Sequence, residues 1–308
     1  MIVGNQLQES LRKWQSPPDP STNHNIADGR QHEGTAEWFL ESDKFEKWKV
    51  AGSLLWIHGK GTFLLPVTSV ISWTTPFAAG SGKSVLWFVA LKFGVLGNLR
   101  LSTWSSSAII NDVTTLCEAG LASMAYFYFD FRDVDKQARR NLLPSLLVQL
   151  STRSNAFCDV LSRLYETHDN GVRQPSDKAL TRCLVEMLTV PNQGPVYLIL
   201  DALDECPDTS DLPSPREQVL GLVKDLVSLR LPSLHICVTS RPEVDISDAL
   251  GSLASQTVSL QDEHGQKKDI SDYVRSVVYS GSSICMRKWR KEEKEHVIET
   301  LSERADGM

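Results

Sequence analysis

The chain has 308 residues, 41% hydrophobic and 23% charged, with a formal net charge of -6 and a pI near 5.7. That length suffices for one large α/β domain and part of a second, and excludes a small module stapled by disulfides or metal. The acidic balance gives no electrostatic footprint for nucleic acid, and the basic run "MRKWRKEEK" at 286–294 is interleaved with glutamates, as on a solvated helix face.

Six scattered cysteines (Cys117, Cys158, Cys183, Cys206, Cys237, Cys285) form no C-x-x-C pair, and the histidines do not cluster. Zinc and a disulfide framework are therefore not expected. The start "MIVGNQLQESLRKW" lacks the basic-then-apolar plan of a signal peptide, so a reducing, cytoplasmic setting is the expectation.

In chain order, "LQESLRKW" reads as the end of a helix. The proline-rich "QSPPDPSTNHNIADGRQHEG" that follows reads as a disordered linker in which nothing packs, so 1–30 is set apart from the folded domain. "SLLWIH" (53–58), "SMAYFYF" (123–129), "VYLILD" (196–201) and "LHICVTS" (234–240) are short apolar runs that predict buried strands. Between them, "RRNLLPSLLVQLS" from 139, "NAFCDVLSRLYETH" from 155, "KALTRCLVEMLT" from 178 and "REQVLGLVKDLVSL" from 216 carry helical periodicity. Strands alternating with helices predict an α/β fold with a mostly parallel sheet flanked by helices. "KKDISDYVRSVVYS" and "KWRKEEKEHVIETLSERADG" predict two more helices, so residues 251–308 are read as the start of a helical domain that continues past Met308.

Three motifs carry chemistry. "VYLILDALDEC" runs four to five apolar residues into Asp201, which places a carboxylate at the carboxyl end of a buried strand, where open α/β sheets bind ligands. That is the position of a Walker B aspartate holding Mg²⁺. Asp204 and Glu205 follow at spacings expected to bring further carboxylates near the same ion, with Glu205 able to orient or deprotonate a water. "AGSGKS" supplies the glycine-rich turn of a phosphate loop. Its backbone around Gly80, Ser81 and Gly82 would cradle phosphates, Lys83 would reach the β- and γ-phosphates, and the Ser84 hydroxyl would ligate Mg²⁺. "ICVTSRPE" ends a strand in Thr239, Ser240 and Arg241, with Arg241 placed to sense a γ-phosphate.

The phosphate loop is incomplete as written. G-x-x-x-x-G-K-S/T needs a glycine where Phe77 stands, whereas Gly59-Lys60 ends the first strand as a phosphate loop begins. Skipping 61–78 joins Gly59 and Lys60 to "AGSGKS" and completes the pattern. The stretch 61–82 has no charge and could be mistaken for a membrane span, but its prolines and hydroxyl residues argue against one. Codons for Gly-Thr-Phe can contain an intron donor and those for Ala78-Ala79 an acceptor; a second such pair brackets 87–104. We read 61–78 and 87–104 as translated retained introns, to be excluded from fold reasoning. The alternative is a genuine insertion in which "VTSVISW" replaces the first strand.

The segments "HEGTAEWF", "SLLWIHGK", "AGSGKSVL", "AYFYFDFRD", "LLPSLLVQL", "VYLILDALDEC", "VTSRPE" and "DISDYVRSVV" resemble fungal NACHT-type signal-transduction NTPases, in particular the nephrocystin-3-like N-terminal NACHT modules of basidiomycete proteins. The resemblance spans roughly 31 to 305. It implies a P-loop NTPase domain over 31–250 and an ATP or GTP switch of the STAND kind with Mg²⁺. It further implies self-association in a longer protein and a link to non-self recognition or programmed cell death. By motif match, Gly59, Gly80, Gly82, Lys83 and Ser84 form the phosphate loop, Asp201 is the metal ligand, Asp204 and Glu205 serve hydrolysis and Arg241 senses the nucleotide. Effector and repeat domains of such switches would lie outside this sequence. No nucleic acid or membrane partner is expected. A non-catalytic interaction or scaffold fragment with a disrupted phosphate loop is the alternative of a different class. An acidic-site nuclease built on Asp201, Asp204 and Glu205 gives Lys83 and the glycines nothing to do.

Overall fold

The apolar runs become strands β1 (Ser53–His58), β2 (Ser123–Tyr128), β3 (Val196–Asp201), β4 (Leu234–Ser240) and β5 (Gln256–Ser259). They form one sheet in the order β2-β3-β4-β1-β5, every pair parallel. The computed structural model describes residues 2–28, 36–59, 101–209, 213–260, 264–279 and 289–305. Every residue of β3 and β4 is buried, which is why both read as continuous apolar runs without alternation: a parallel sheet is covered on both faces.

The side-chain period of two sorts each strand between those faces. Leu54, Trp56, Leu198, Leu200, Ile236 and Val238 point to one core; Leu55, Ile57, Tyr197, Ile199 and Cys237 point to the other. The first core is closed by α1 (Ile2–Gln15), α6 (Arg139–Ser151), α7 (Asn155–Thr167), α8 (Asp177–Leu188), α9 (Pro215–Ser228) and α10 (Val244–Leu250). The second is closed by α3 (Glu37–Leu40), α4 (Asp43–Ala51) and α5 (Leu101–Glu118). Trp48 of α4 is fully buried there, its indole N–H donating to the carbonyls of Ser53 and Ile236, each at 3.2 Å. Truncating a buried tryptophan of this kind costs about 3–5 kcal/mol.

Local signals set the helix starts. Ser42 accepts from the Phe45 N–H at 3.3 Å and Ser176 from the Ala179 N–H at 3.3 Å. Ser214 and Glu217 form a reciprocal capping box on α9, with Pro215 in its first turn.

Three readings are corrected. The segment after Gln15, judged unable to pack, contains α2 (Ser21–Asp28). The Asp19 carboxylate caps it, accepting from the Ser21 N–H at 2.9 Å and hydroxyl at 2.7 Å, so one acidic side chain starts a helix that composition alone argued against. The first helix is part of the core: Leu11 and Trp14 are buried, and Trp14 Nε1–H donates to the Arg173 carbonyl at 3.0 Å. The boundary at residue 250 falls one strand early, because β5 pairs with β1 from Leu55↔Gln256 to His58↔Ser259. β5 was missed because "QTVS" is short and mostly polar.

Beyond the sheet, α11 (His264–Tyr279) and α12 (Lys291–Ala305) lie against each other. Glu295 accepts from Arg275 at 3.0 Å and from the Tyr279 hydroxyl at 2.9 Å. Asp269 of α11 returns to the domain, accepting from the Ala36 N–H at 2.7 Å and from Trp38 Nε1–H at 2.9 Å. Burial pushes its carboxyl above the ordinary range, against those two donors. Among the described residues no helix is long and apolar enough to cross a membrane.

Candidate functional site

The strand order creates a crevice. The next described helix after β1, α5, packs on one face and the helix after β4, α10, packs on the other, although β1 and β4 are neighbours. With the described helices on opposite faces beside neighbouring strands, β1 and β4 flank a topological switch point, where ligands of open α/β sheets bind. The strand ends are tied together: Trp56 Nε1–H donates to Ser240 Oγ at 2.9 Å, and the Gly59 N–H to the Ser240 carbonyl at 3.4 Å. At Gly59 an added Cβ would stand 3.2 Å from Leu260 Cβ, so a larger residue there needs Leu260 to give way.

Asp201 ends β3 and is 2% exposed. Its Oδ1 accepts from the hydroxyl of Ser106 on α5 and from that of Thr239 on β4, each at 2.5 Å. Thr239 Oγ1 in turn accepts from the Ala202 N–H at 2.9 Å. Ala202 is left-handed, φ 58° and ψ 47°, which turns the chain sharply out of the strand into the short helical turn Leu203–Glu205. Beside this carboxylate, burial and then the Asp201 charge push the Cys237 thiol upward.

The next two acids face elsewhere. Asp204 accepts from the Arg241 N–H at 3.1 Å and pairs with Arg241 Nε at 3.3 Å. Glu205, largely buried, accepts from the Phe131 N–H at 3.1 Å, in the loop after β2. Among the described residues no group of three His, Cys, Asp or Glu is placed to hold a metal ion. The described donors of the three carboxylates differ: the Ser106 and Thr239 hydroxyls for Asp201, Arg241 for Asp204 and the Phe131 N–H for Glu205. Asp201 alone occupies the strand-end position.

Lys60, Gly80, Ser81, Gly82, Lys83 and Ser84 lie outside the described residues, as do all of 61–78 and 87–100. Residues 101–104, the end of the second segment set aside, are the first turn of α5. Two functional-site residues were missed from the sequence. Ser106 carried no motif signal. Arg216 stood in the sequence only as the first residue of the helical run "REQVLGLVKDLVSL", yet its buried guanidinium organises the turn after Asp201. It donates to the Cys206 carbonyl at 2.9 Å and the Asp204 carbonyl at 2.8 Å, and pairs with Glu243 at 2.5 Å and Asp245 at 3.3 Å.

An all-parallel sheet with its helices divided between two faces, and a buried aspartate ending a central strand at the crevice, define an α/β protein of P-loop-like arrangement. The sequence model of the nephrocystin 3 N-terminal family matches residues 102–241, from the first turn of α5 to Arg241. This region of the chain is nephrocystin-3-like. No curated protein matches the chain.

Proposed function

We propose that the chain is the nucleotide-binding module of a NACHT-type, STAND signalling switch, taking ATP or GTP with Mg²⁺ and hydrolysing it slowly. The observation that carries the reading is Asp201: a buried, hydroxyl-held carboxylate at the carboxyl edge of β3, across β4 from the strand that ends in Gly59. The two hydroxyl donors orient Asp201 Oδ1 at the strand end, the position from which a Walker B aspartate serves Mg²⁺.

In this reading Gly59, Lys60, Gly80, Ser81, Gly82 and Lys83 cradle the phosphates, and Ser84 and Asp201 hold Mg²⁺. Glu205, oriented by the Phe131 N–H, is the carboxylate that positions water. Arg241 pairs with Asp204, and a γ-phosphate would compete with Asp204 for that guanidinium, which gives the pair a sensing role. Self-association in a longer protein, and the link to non-self recognition or cell death, belong to the same reading.

With 61–78 and 87–104 treated as additions, Ser84 falls four residues before Ser106, the spacing of one helical turn on the same face. The test is Mg²⁺-dependent binding of ATP and GTP analogues by calorimetry, on the chain as written and on a version lacking 61–78 and 87–104. Lys83→Ala in each is the control. Binding by the shortened form alone, abolished by Lys83→Ala, is expected. Equal binding by both forms would make the insertion a working part of the protein. Binding by neither would leave the scaffold reading.

A further inference from the structure

We infer that Thr239 is a positioning residue for Asp201, a hydroxyl relay that fixes at once the carboxylate and the backbone turn that follows it. The inference rests on the reading of Asp201 as the metal-side carboxylate. Thr239 is fully buried at the end of β4, next to β3 in the sheet. Its hydroxyl has one proton, and the geometry assigns it: Oγ1 donates to Asp201 Oδ1 at 2.5 Å while accepting from the Ala202 N–H at 2.9 Å. The chain of donation therefore runs in one direction, from the Ala202 amide through the Thr239 hydroxyl to the carboxylate.

Each link has a physical task. Ala202 is buried and left-handed, a conformation that disfavours a residue with a side chain, and its N–H leaves the line of the strand. Without the Thr239 oxygen that buried amide would lose the acceptor that holds the turn. The same hydroxyl, together with Ser106 from α5, places two neutral donors on one carboxylate oxygen and so fixes the carboxylate against β4 and α5. Ser106, by contrast, gives its one hydroxyl proton to Asp201 itself, whereas the Ala202 N–H of the turn is met by Thr239. The two hydroxyls are thus separable by experiment, although both lie on the same oxygen.

Valine copies the shape of threonine without the hydroxyl, and serine keeps the hydroxyl without the methyl group. In the 308-residue chain, hydrogen exchange at the Ala202 amide, resolved by NMR, should accelerate in Thr239→Val by about tenfold or more, the loss of one buried hydrogen bond. It should stay near the parent value in Thr239→Ser and in Ser106→Ala. In the form lacking 61–78 and 87–104, a non-hydrolysable ATP analogue, titrated with Mg²⁺ and again with a chelator, should lose about tenfold of its Mg²⁺-dependent affinity in Thr239→Val and in Ser106→Ala. Its Mg²⁺-independent affinity should not change, a distinction that a general loosening of the fold would erase. Thr239→Ser should restore both readouts.

Unchanged exchange at Ala202 in Thr239→Val overturns the relay. Faster exchange with an unaltered Mg²⁺ dependence overturns its connection to the metal side. If neither the parent nor the shortened chain binds nucleotide while the exchange pattern appears as expected, the nucleotide reading falls and the relay stands on the exchange result alone.

Discussion

Asp201 and Asp204 lie three residues apart in one acidic motif, and the fold treats them in opposite ways. Asp201 is held by two hydroxyls, Asp204 by an arginine. A hydroxyl donor orients a carboxylate without bringing a charge to it, whereas a guanidinium brings a positive charge as well. Spacing within a motif therefore does not tell which donors an acid meets; the fold does.

The largest expected effect is on the support of the Asp204 turn. Arg216→Met removes donors from two backbone carbonyls and the cation shared by Glu243 and Asp245, and should lower stability by about 2–4 kcal/mol, read as the urea midpoint. A loss under about 1 kcal/mol would mean that the turn holds itself. Next, Asp201→Asn keeps an oxygen for the Ser106 and Thr239 hydroxyls but removes the charge. Mg²⁺-dependent nucleotide affinity should fall on the order of 100-fold, against about threefold or less for Asp204→Asn. Equal losses would break the contrast between the two acids.

A third prediction sharpens the contrast along β4, which carries Thr239 at one end and His235 at the other. His235 is buried, stacked on Tyr197 at 4.5 Å, with Nδ1 3.0 Å from the Trp48 carbonyl, and burial lowers its pKa below the ordinary 6.5. The folded state thus favours the neutral ring, while the unfolded chain takes up the proton first. The His235 contribution is full above about pH 6.5 and is lost as pH falls from there through the lowered native value, with a slope of at most about 1.4 kcal/mol per pH unit. Urea midpoints from pH 7.5 to 5 should show the decline, and His235→Phe should flatten it; an unchanged slope would assign the acid sensitivity to another group. The smallest effect is that of Arg241→Gln, whose half-exposed guanidinium is screened by solvent on its side of the pair and should contribute under about 1 kcal/mol to stability. A larger loss in thermal unfolding would make Arg241 structural and remove the reason to read it as a sensor.

Much of this architecture was legible beforehand. Four strands stand where the apolar runs put them, because residues buried on both faces leave continuous hydrophobic stretches; the helices from 139 to 228 kept their 3.6-residue period. Asp201 was identifiable because an acid that closes such a run must come at the edge of the sheet. The failures share a cause. β5 borrows its register from β1, α2 is capped and docked by side chains, and Ser106 sits in a helix with no motif around it. None of these has a local signal strong enough to stand without the rest of the molecule.

The sequence by itself determined the alternation of strands and helices, the parallel sheet and the carboxylate at the end of β3, since periodicity and composition are local properties. Only the tertiary structure decided what each acid does. The Asp201 donors come from 95 residues before it and 38 after it, the Asp204 partner from 37 residues after, and the Glu205 donor from 74 before. A carboxylate's charge and direction depend on such neighbours, and neighbours of that kind exist only once the strands have been laid side by side.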